Sequence, residues 1–359
     1  MSPTKPPAGR AAILHADLRD GVRTLHPGYF ALVMATGILS IAMRNQRALA
    51  LSVALMWLTV VEYVVLVALT AWRAVRFSRE IGEDLEDPRR AFGQFTLVAG
   101  TDVLGTRLAL DAHHVIAFVL LVVGWVAWLV LGYVVPWTAV LGHARRPVLQ
   151  DANGTWFIWV VATQSVAVLA AALEPGVSAG RDELALLAVF SWSVGVFLYA
   201  GNGVLVTCRL LVYSFGPEDL TAPYWVAMGA TAITVVAGAR IVEMADAPFV
   251  AATRGLVAGA SVLFWAFGTW LIPPLLAAGF WRHCIHDVPL RYEPTLWSIV
   301  FPLGMYGVAG NFLGNADHLP FVRHIGDVES WIALAVWVVV FLAMVRHLAF
   351  STRAALAHG

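Results

Sequence analysis

Residues 50–72 read ALSVALMWLTVVEYVVLVALTAW, an apolar run in which Glu62 is the one charged side chain. A helix rises about 1.5 Å per residue, so about 20 apolar residues cross the hydrocarbon core of a bilayer. This run therefore predicts a transmembrane helix. The same criterion, applied outward from it, predicts an all-α integral membrane protein with ten transmembrane helices: 28–44, 50–72, 91–110, 113–135, 154–173, 183–213, 222–241, 251–281, 294–313 and 328–349.

The overall composition agrees with that fold class. Of the 359 residues, 60% are hydrophobic and 13% are charged, whereas soluble domains average roughly 45–50% apolar and about 25% charged residues. The formal net charge is zero, which gives no indication of a nucleic-acid partner. The ten segments form one transmembrane domain over 28–349, in contact with the lipid bilayer. We expect 1–27 and 350–359 to be cytoplasmic tails.

Lysine and arginine set the expected orientation, because cytoplasmic loops carry an excess of them. With the N-terminus inside, 16 of the 23 basic residues fall on the inner side and 7 on the outer side. This asymmetry predicts a multi-pass protein of the cell membrane with both termini in the cytoplasm. The inner set is Lys5, Arg10, Arg19, Arg23, Arg73, Arg76, Arg79, Arg89, Arg90, Arg145, Arg146, Arg209, Arg282, Arg291, Arg346 and Arg353; the outer set is Arg44, Arg47, Arg107, Arg181, Arg240, Arg254 and Arg323.

The ten segments alternate in residue size. Odd-numbered segments carry small and hydroxyl residues and begin 63 to 72 residues apart, whereas the second, fourth and tenth are bulky. This pattern predicts five helical hairpins of one orientation, with the small-residue helices around a central pore and Trp57, Trp128 and Trp337 pointing away from it. The alternative is that small residues only allow close helix packing. The residues predicted to line the pore are Thr36, Gly37, Ser40, Thr101, Thr163, Gln164, Thr231 and Gly304.

Two carboxylates, Glu62 and Asp102, lie near the middle of predicted spans, and Arg107 lies five residues beyond Asp102. A charge at the bilayer centre costs roughly 2.5–3.5 kcal/mol on insertion scales, so it normally pairs, becomes neutral or faces water. One interpretation of Glu62, Asp102 and Arg107 is a buried ion pair of Arg107 with one of the carboxylates. The other is a carboxylate that couples anion movement to proton movement. Arg240 and Glu243 end the seventh span, where we expect them at the membrane interface.

Four stretches resemble the tellurite-resistance/dicarboxylate transporter family, which includes plant guard-cell slow anion channels, fungal malate permeases and sulfite efflux pumps. They are HPGYFALVMATGILSIAM (26–43), WFIWVVATQSVAVLAA (156–171), APYWVAMGATAIT (222–234) and LWSIVFPLGMYGVAG (296–310). The resemblance covers residues 27 to about 349. It implies a homotrimer in which each protomer has its own pore of five inner helices.

The resemblance also implies a gate formed by a phenylalanine beside a proline kink in the ninth helix. Phe301 and Pro302 match this position. Proline within a helix removes a backbone hydrogen bond and bends the helix, which can aim the neighbouring ring across a pore. The residues alone favour a different interpretation, in which Phe301 is an apolar packing residue beside a common transmembrane proline; it is the resemblance that favours the gate.

We expect a channel or facilitator for small anions, with selectivity from pore diameter and helix dipoles. Alternatives on the same fold are a proton-coupled carrier of C4-dicarboxylates such as malate and an exporter of sulfite or tellurite. A different class would be an intramembrane enzyme or a haem-bearing subunit, but hydrolase and nucleotide motifs are absent from the sequence. His113-His114 and the His283 to His286 stretch lack a full ligand set, so we expect no metal, cofactor or enzymatic activity.

Overall fold

The computed structural model describes residues 18–142, 146–245 and 247–358. Within these ranges all regular secondary structure is helical, and a short helical segment at 18–23 precedes eleven α-helices. Lys5, Arg10 and Arg145, used above for the orientation, lie outside the described residues, as does most of the predicted N-terminal tail. The α-helices are α1 (Ala31–Asn45), α2 (Leu49–Arg76), α3 (Ser78–Glu86), α4 (Phe95–Ala109), α5 (His114–Val135), α6 (Phe157–Leu173), α7 (Arg181–Val212), α8 (Val226–Glu243), α9 (Pro248–Phe280), α10 (Trp297–Ala316) and α11 (Pro320–His358).

Five of these helices begin in the same way. A 3₁₀ turn leads directly into α1, α4, α6, α8 and α10, which we call the inner helices. Side chains before two of the turns satisfy free backbone N–H groups: the Gly28 N–H donates to His26 Nδ1 over 3.0 Å, and the Thr155 N–H donates to Asn153 Oδ1 over 2.7 Å. The five turns are Pro27–Phe30, Ala91–Gln94, Gly154–Trp156, Ala222–Trp225 and Pro294–Leu296.

The inner helices form a closed ring. Each contacts two inner neighbours, in the order α1, α4, α6, α8 and α10, and α10 returns to α1. The five 3₁₀ turns contact one another in the same cyclic order at one end of the ring. All five inner helices therefore run in the same direction, with their N-termini together. Every inner helix also packs against the long helix that follows it, and these outer helices are α2, α5, α7, α9 and α11.

Burial separates the two layers. In the described part of the chain, nine helices are long and apolar enough to cross a membrane. The four inner helices among them are 78–89% buried, whereas the five outer helices are only 17–44% buried. The outer helices expose large apolar side chains, including Trp57, Phe197 and Leu263, as a surface in contact with lipid does. The chain is thus a multi-pass membrane protein.

The third predicted span is helical but is not one of those nine. Residues 91–109 form a turn and α4, and their apolar character is reduced by Gln94, Asp102 and Arg107. α4 nevertheless lies in the ring between α1 and α6, where neighbouring helices shield it. The tenth span also differs from the prediction of 328–349, since α11 continues from Pro320 to His358 and includes most of the predicted C-terminal tail.

Ionic contacts hold α3 against the end of the ring where the inner helices begin. Asp84 on α3 accepts from Arg73 Nη1 over 2.7 Å and forms an ion pair with Arg90 over 2.7 Å. His26 lies beside this cluster. Burial, with further contributions from Arg90 and Arg73, lowers the pKa of His26 from 6.5 to about 4, and Asp84 opposes the shift. His26 is therefore a neutral hydrogen-bond acceptor at the start of the first inner helix.

Candidate functional site

A narrow cavity lies on the axis of the ring, and all five inner helices line it. Its volume of about 20 Å³ holds roughly one water molecule. Lining residues recur at spacings of three and four along each helix, as one face of a helix requires. We call this space the axial cavity; its lining residues are Ile38, Ile41, Val103, Thr106, Leu110, Ser165, Val168, Ile233, Val236, Arg240, Met305, Val308 and Phe312.

The lining is mostly aliphatic, and three polar side chains interrupt it. Ser165 lies on α6, and its hydroxyl is 2.7 Å from Asp102 Oδ2 and 2.8 Å from the Ala162 carbonyl oxygen. Thr106 on α4 and Arg240 on α8 lie further along the cavity, toward the end where the inner helices terminate. The sequence had indicated Arg240 as interfacial, but α8 extends to Glu243 and brings the arginine into the cavity wall.

None of the eight residues predicted to line the pore belongs to the axial cavity. The threonines instead face the outer helices. Trp337 Nε1 donates to Thr36 Oγ1 over 3.1 Å, and the Thr36 hydroxyl donates to Glu62 Oε1 over 3.2 Å. Thr163 accepts from Trp128 Nε1 over 2.8 Å. The prediction that Trp128 and Trp337 point away from the ring is thus wrong. Trp57, the third tryptophan of that prediction, is 60% exposed on α2 and does point away from the ring.

The other predicted pore residues also serve helix packing. Thr101 shares a hydrogen bond of 3.1 Å with Tyr63 on α2, and Gln164 Nε2 donates to the Trp192 carbonyl on α7. Thr231 packs against Gly268 of α9, where an added Cβ would collide with the threonine hydroxyl. These are contacts between inner and outer helices. They favour the alternative that small and hydroxyl residues allow close packing of membrane helices.

The small residues at the remaining positions lie between neighbouring helices. A Cβ on Gly37 would be 2.7 Å from Val103 Cγ1, and one on Gly304 would be 2.9 Å from Ile38 Cγ2. These two glycines therefore permit close approach within the inner ring. Ser40 Oγ donates to the Ser52 carbonyl over 2.7 Å and accepts from Arg107 Nε over 2.8 Å.

Arg107 does not pair with either carboxylate that the sequence indicated. It forms its ion pair with Asp111, four residues later, over 2.5 Å, because that spacing returns to the same helix face. Arg107 also donates to the hydroxyls of Ser40 and Ser52. Arg44 contacts Asp111 as well. The outcome is a charge cluster at the end where α1 and α4 terminate, to which neither Glu62 nor Asp102 contributes.

The two other carboxylates are buried with hydroxyl partners. Asp102 is fully buried and Glu62 is 8% exposed. Asp102 Oδ1 and Glu62 Oε2 have no hydrogen-bond partner among the described residues. Asp102 lies against Gly124 of α5, where a Cβ would collide with its carboxylate. Through Ser165, Asp102 is one hydrogen bond away from the axial cavity.

Phe301 and Pro302 lie inside α10, which is continuous from Trp297 to Ala316. Phe301 is 1% exposed. It precedes Met305 of the axial cavity by four residues, about one helical turn, and therefore shares its helix face. Pro302 packs against Gly229 of α8, where a Cβ would come within 2.8 Å of the proline ring.

Fold and site define a multi-pass membrane protein with a buried ring of five helices around a narrow, apolar axial cavity. The family model described as voltage-dependent anion channel (SLAC1) matches residues 24–345. The chain belongs to this family. The resemblance to the tellurite-resistance/dicarboxylate transporter family, of which that model is a part, is thereby confirmed.

Similar proteins agree with a membrane transporter. The chain is 68% identical over 154 residues to an uncharacterized membrane protein of Mycobacterium tuberculosis, covering 43% of this chain and 78% of that protein. It is 22% identical over 336 residues to an uncharacterized transporter of Methanocaldococcus jannaschii, covering 92% of this chain and 96% of that protein. A second uncharacterized transporter of that organism is 22% identical over 330 residues, covering 90% and 93%.

Proposed function

We propose that this protein is a channel or facilitator that moves small anions along the axis of its inner ring. The observation that carries the proposal is the axial cavity, to which one face of each inner helix contributes. Its aliphatic walls bind an anion weakly, and weak binding is what rapid conduction requires. At about 20 Å³ the cavity is too narrow for a continuous water column, so the arrangement corresponds to a closed state.

Helix direction supports an anion as the solute. The N-termini of all five inner helices meet at one end of the ring, because their 3₁₀ turns contact one another. Each helix N-terminus carries a partial positive charge, equivalent to roughly half an elementary charge. Five parallel helices therefore favour a negative ion at that mouth of the pathway. In the ten-span arrangement that we propose, with both termini in the cytoplasm, this is the cytoplasmic mouth.

The proposed gate is Phe301 beside Pro302. Phe301 shares the helix face of Met305 and Val308, both in the wall of the axial cavity, and lies one turn nearer the N-terminal mouth. A phenyl ring offers an anion no hydrogen bond, so it would close the pathway by its volume and by excluding water. The homotrimer implied by the family stays a prediction.

Anion flux into liposomes containing the purified protein tests the proposed function. We expect chloride to enter faster than into protein-free liposomes, with the rate raised by an imposed electrical potential and little changed by a pH gradient. A wild-type rate equal to that of protein-free liposomes, for chloride, nitrate and malate alike, would contradict it.

A second candidate is a proton-coupled carrier, and the environment of Asp102 favours it. The Ser165 hydroxyl has one proton but lies within hydrogen-bond distance of two oxygens, Asp102 Oδ2 and the Ala162 carbonyl. Both bonds form together if Asp102 is protonated and donates to Ser165. No ion pair to Asp102 occurs among the described residues, and its hydrogen-bond partner on a neighbouring helix is Ser165.

On this second hypothesis, a pH gradient would drive malate or chloride uptake in wild-type liposomes, and Asp102→Asn would abolish the gradient-driven part and keep passive flux. Asparagine has nearly the same shape and can donate to Ser165, so the variant is expected to fold. Uptake that ignores the pH gradient in the wild type would leave the uncoupled channel as the better description.

A further inference from the structure

Two side chains at the far end of the axial cavity have unused hydrogen-bond donors. Arg240 and Thr106 both line the cavity near the C-termini of the inner helices. Arg240 Nε and Thr106 Oγ1 have no hydrogen-bond partner among the described residues. Thr106 is 5% exposed, so its hydroxyl is buried beside an otherwise aliphatic wall. A buried donor without a partner is destabilising, and a ligand that accepts from it would remove that cost.

Arg240 differs from Arg107 and Arg44, at the same end of the ring, in the strength of its pairing. Arg107 and Arg44 both contact Asp111, and Arg107 is almost fully buried in that cluster. Arg240 has Glu243 at 3.8 Å, and the carboxylate is 43% exposed. An ion pair at this distance with an exposed carboxylate is weak, because water screens it. The guanidinium therefore keeps most of its charge available to the cavity.

The guanidinium is also held in place. Its central carbon lies 4.2 Å from the centre of the Phe312 ring, within the range in which a cation is attracted to an aromatic face. Phe312 itself lines the axial cavity. Stacking fixes the plane of the guanidinium and leaves its edge, where the N–H groups are, free to bind. Such preorganisation lowers the entropy that is lost on binding.

We propose that Arg240 and Thr106 form an anion-binding site at the end of the axial cavity where the inner helices terminate, and that this site holds one small monovalent anion. Both residues present donors, and Glu243, which is exposed and 3.8 Å away, offsets the guanidinium only weakly. The guanidinium therefore supplies the positive charge that the helix C-termini at this end do not provide, and one negative charge balances the site. The small cavity volume favours an ion the size of chloride over a dicarboxylate. This inference rests on the proposed anion pathway, to which it adds a residue that selects for charge.

Chloride binding to the purified protein in detergent tests the site without any transport step. Broadening of the chloride NMR line measures exchange between free and bound ion. We expect broadening with the wild type, loss of most of it in Arg240→Gln, and retention in Arg47→Gln. Arg47 is an exposed arginine at the same end of the ring, after α1, and lies outside the cavity. Thr106→Val, which keeps the side-chain shape, should weaken binding by about three- to tenfold.

Liposome flux with the same variants separates this inference from the proposed function. We expect Arg240→Gln to raise the half-saturating chloride concentration by roughly tenfold or more and Arg240→Lys to restore part of the difference, because lysine keeps the charge but not the fork of donors. Chloride flux with equal binding in wild type and Arg240→Gln would overturn the site and leave the channel intact. Arginine-dependent binding in a protein that carries no anion would support the site and reject the channel.

Discussion

At the scale of single residues, Phe301 carries the proposed gating. Its helix face is that of Met305, and its side chain is 1% exposed. We predict that Phe301→Ala raises basal chloride flux in liposomes severalfold, because a methyl group cannot close the pathway. If the ring faces the proposed pathway, its truncation should cost less than the roughly 3–5 kcal/mol of a packed phenylalanine.

Phe95→Ala is the matched control. Phe95 is equally buried on an inner helix, but it stacks on Trp159 with ring centres 5.9 Å apart. Its truncation should lower the unfolding temperature and leave flux per folded protein unchanged. If both variants lose stability to the same extent and neither conducts more than the wild type, Phe301 is a packing residue.

His26 provides a prediction on acid stability. Its pKa falls from 6.5 to about 4 in the folded protein, so the unfolded chain takes up a proton at a higher pH than the folded one. The free energy of unfolding should therefore decrease as the pH falls from about 6.5 to 4, by on the order of 2–3 kcal/mol. His26→Asn keeps an oxygen that accepts from the Gly28 N–H but does not titrate.

Thermal unfolding in detergent at a series of pH values checks this. Near pH 7.5 the wild type and His26→Asn should unfold at similar temperatures, and toward pH 4.5 the variant should become the more stable of the two. Parallel curves over the whole range would show that His26 does not contribute to the acid-side loss of stability.

At the scale of helices, the sequence predicted the two layers but not which face of an inner helix meets the axis. The inner helices are buried on all sides: in α1, every residue from Ala31 to Met43 is buried. Apolar periodicity therefore cannot distinguish the axis from the outer helices. Thr36, Thr101, Thr163 and Thr231 recur 62 to 68 residues apart, which marks them as equivalent positions in a repeat. Only the contacts with Trp337, Tyr63 and Trp128 reveal that they face outward.

The spacing of charged residues likewise predicted only part of the site. A buried Arg107 needs a partner, and the prediction considered only the mid-span carboxylates Glu62 and Asp102. Asp111 lies just beyond α4, and the turn after α4 keeps it within reach of both Arg107 and Arg44. The sequence also did not predict that Arg240 lines the axial cavity. Its position near a helix end is typical of an interfacial arginine, and the ring geometry that turns it toward the axis is not visible in one helix.

The ring of 3₁₀ turns makes a prediction about helix packing. Gly154 in the turn before α6 lies against the backbone of Pro223 and Tyr224 in the turn before α8, where a Cβ would collide with main-chain atoms. Backbone cannot rotate away as a side chain can. We therefore expect Gly154→Ala to destabilise the protein by about 1–3 kcal/mol, measured as a lower unfolding temperature in detergent.

Gly201→Ala is the comparison for that variant. Gly201 lies on the outer helix α7, and a Cβ there would meet nothing within 4 Å. Alanine should be tolerated or should stabilise by roughly 0.5–1 kcal/mol, since it has the higher helix propensity. Equal unfolding temperatures for the two variants would mean that the turns do not hold the ring together.

At the scale of the whole molecule, the parallel direction of the inner helices links the fold to membrane orientation. α3 lies at the end of the ring where the inner helices begin, since Asp84 joins it to Arg73 and Arg90. The start of α7 lies at the opposite end, because the chain passes through α4, α5 and α6 between the two points. In the ten-span arrangement that we propose, these three helices each cross the bilayer, so α3 and the start of α7 should lie on different sides of it. The excess of arginine around α3 favours the cytoplasm for that end.

Single cysteines on each side test this orientation. We predict that Asp182→Cys, exposed at the start of α7, reacts with a membrane-impermeant maleimide in intact cells, whereas Glu83→Cys, whose parent side chain on α3 is 61% exposed, reacts only after the membrane is opened. Cys208 and Cys284 are the free thiols to replace beforehand, since Cys284 is exposed. The reverse labelling pattern would invert the orientation and move the N-terminal mouth of the anion pathway outside. Reaction of both cysteines in intact cells would instead contradict three crossings between α3 and α7, and with them the ten-span arrangement on which the axial pathway depends.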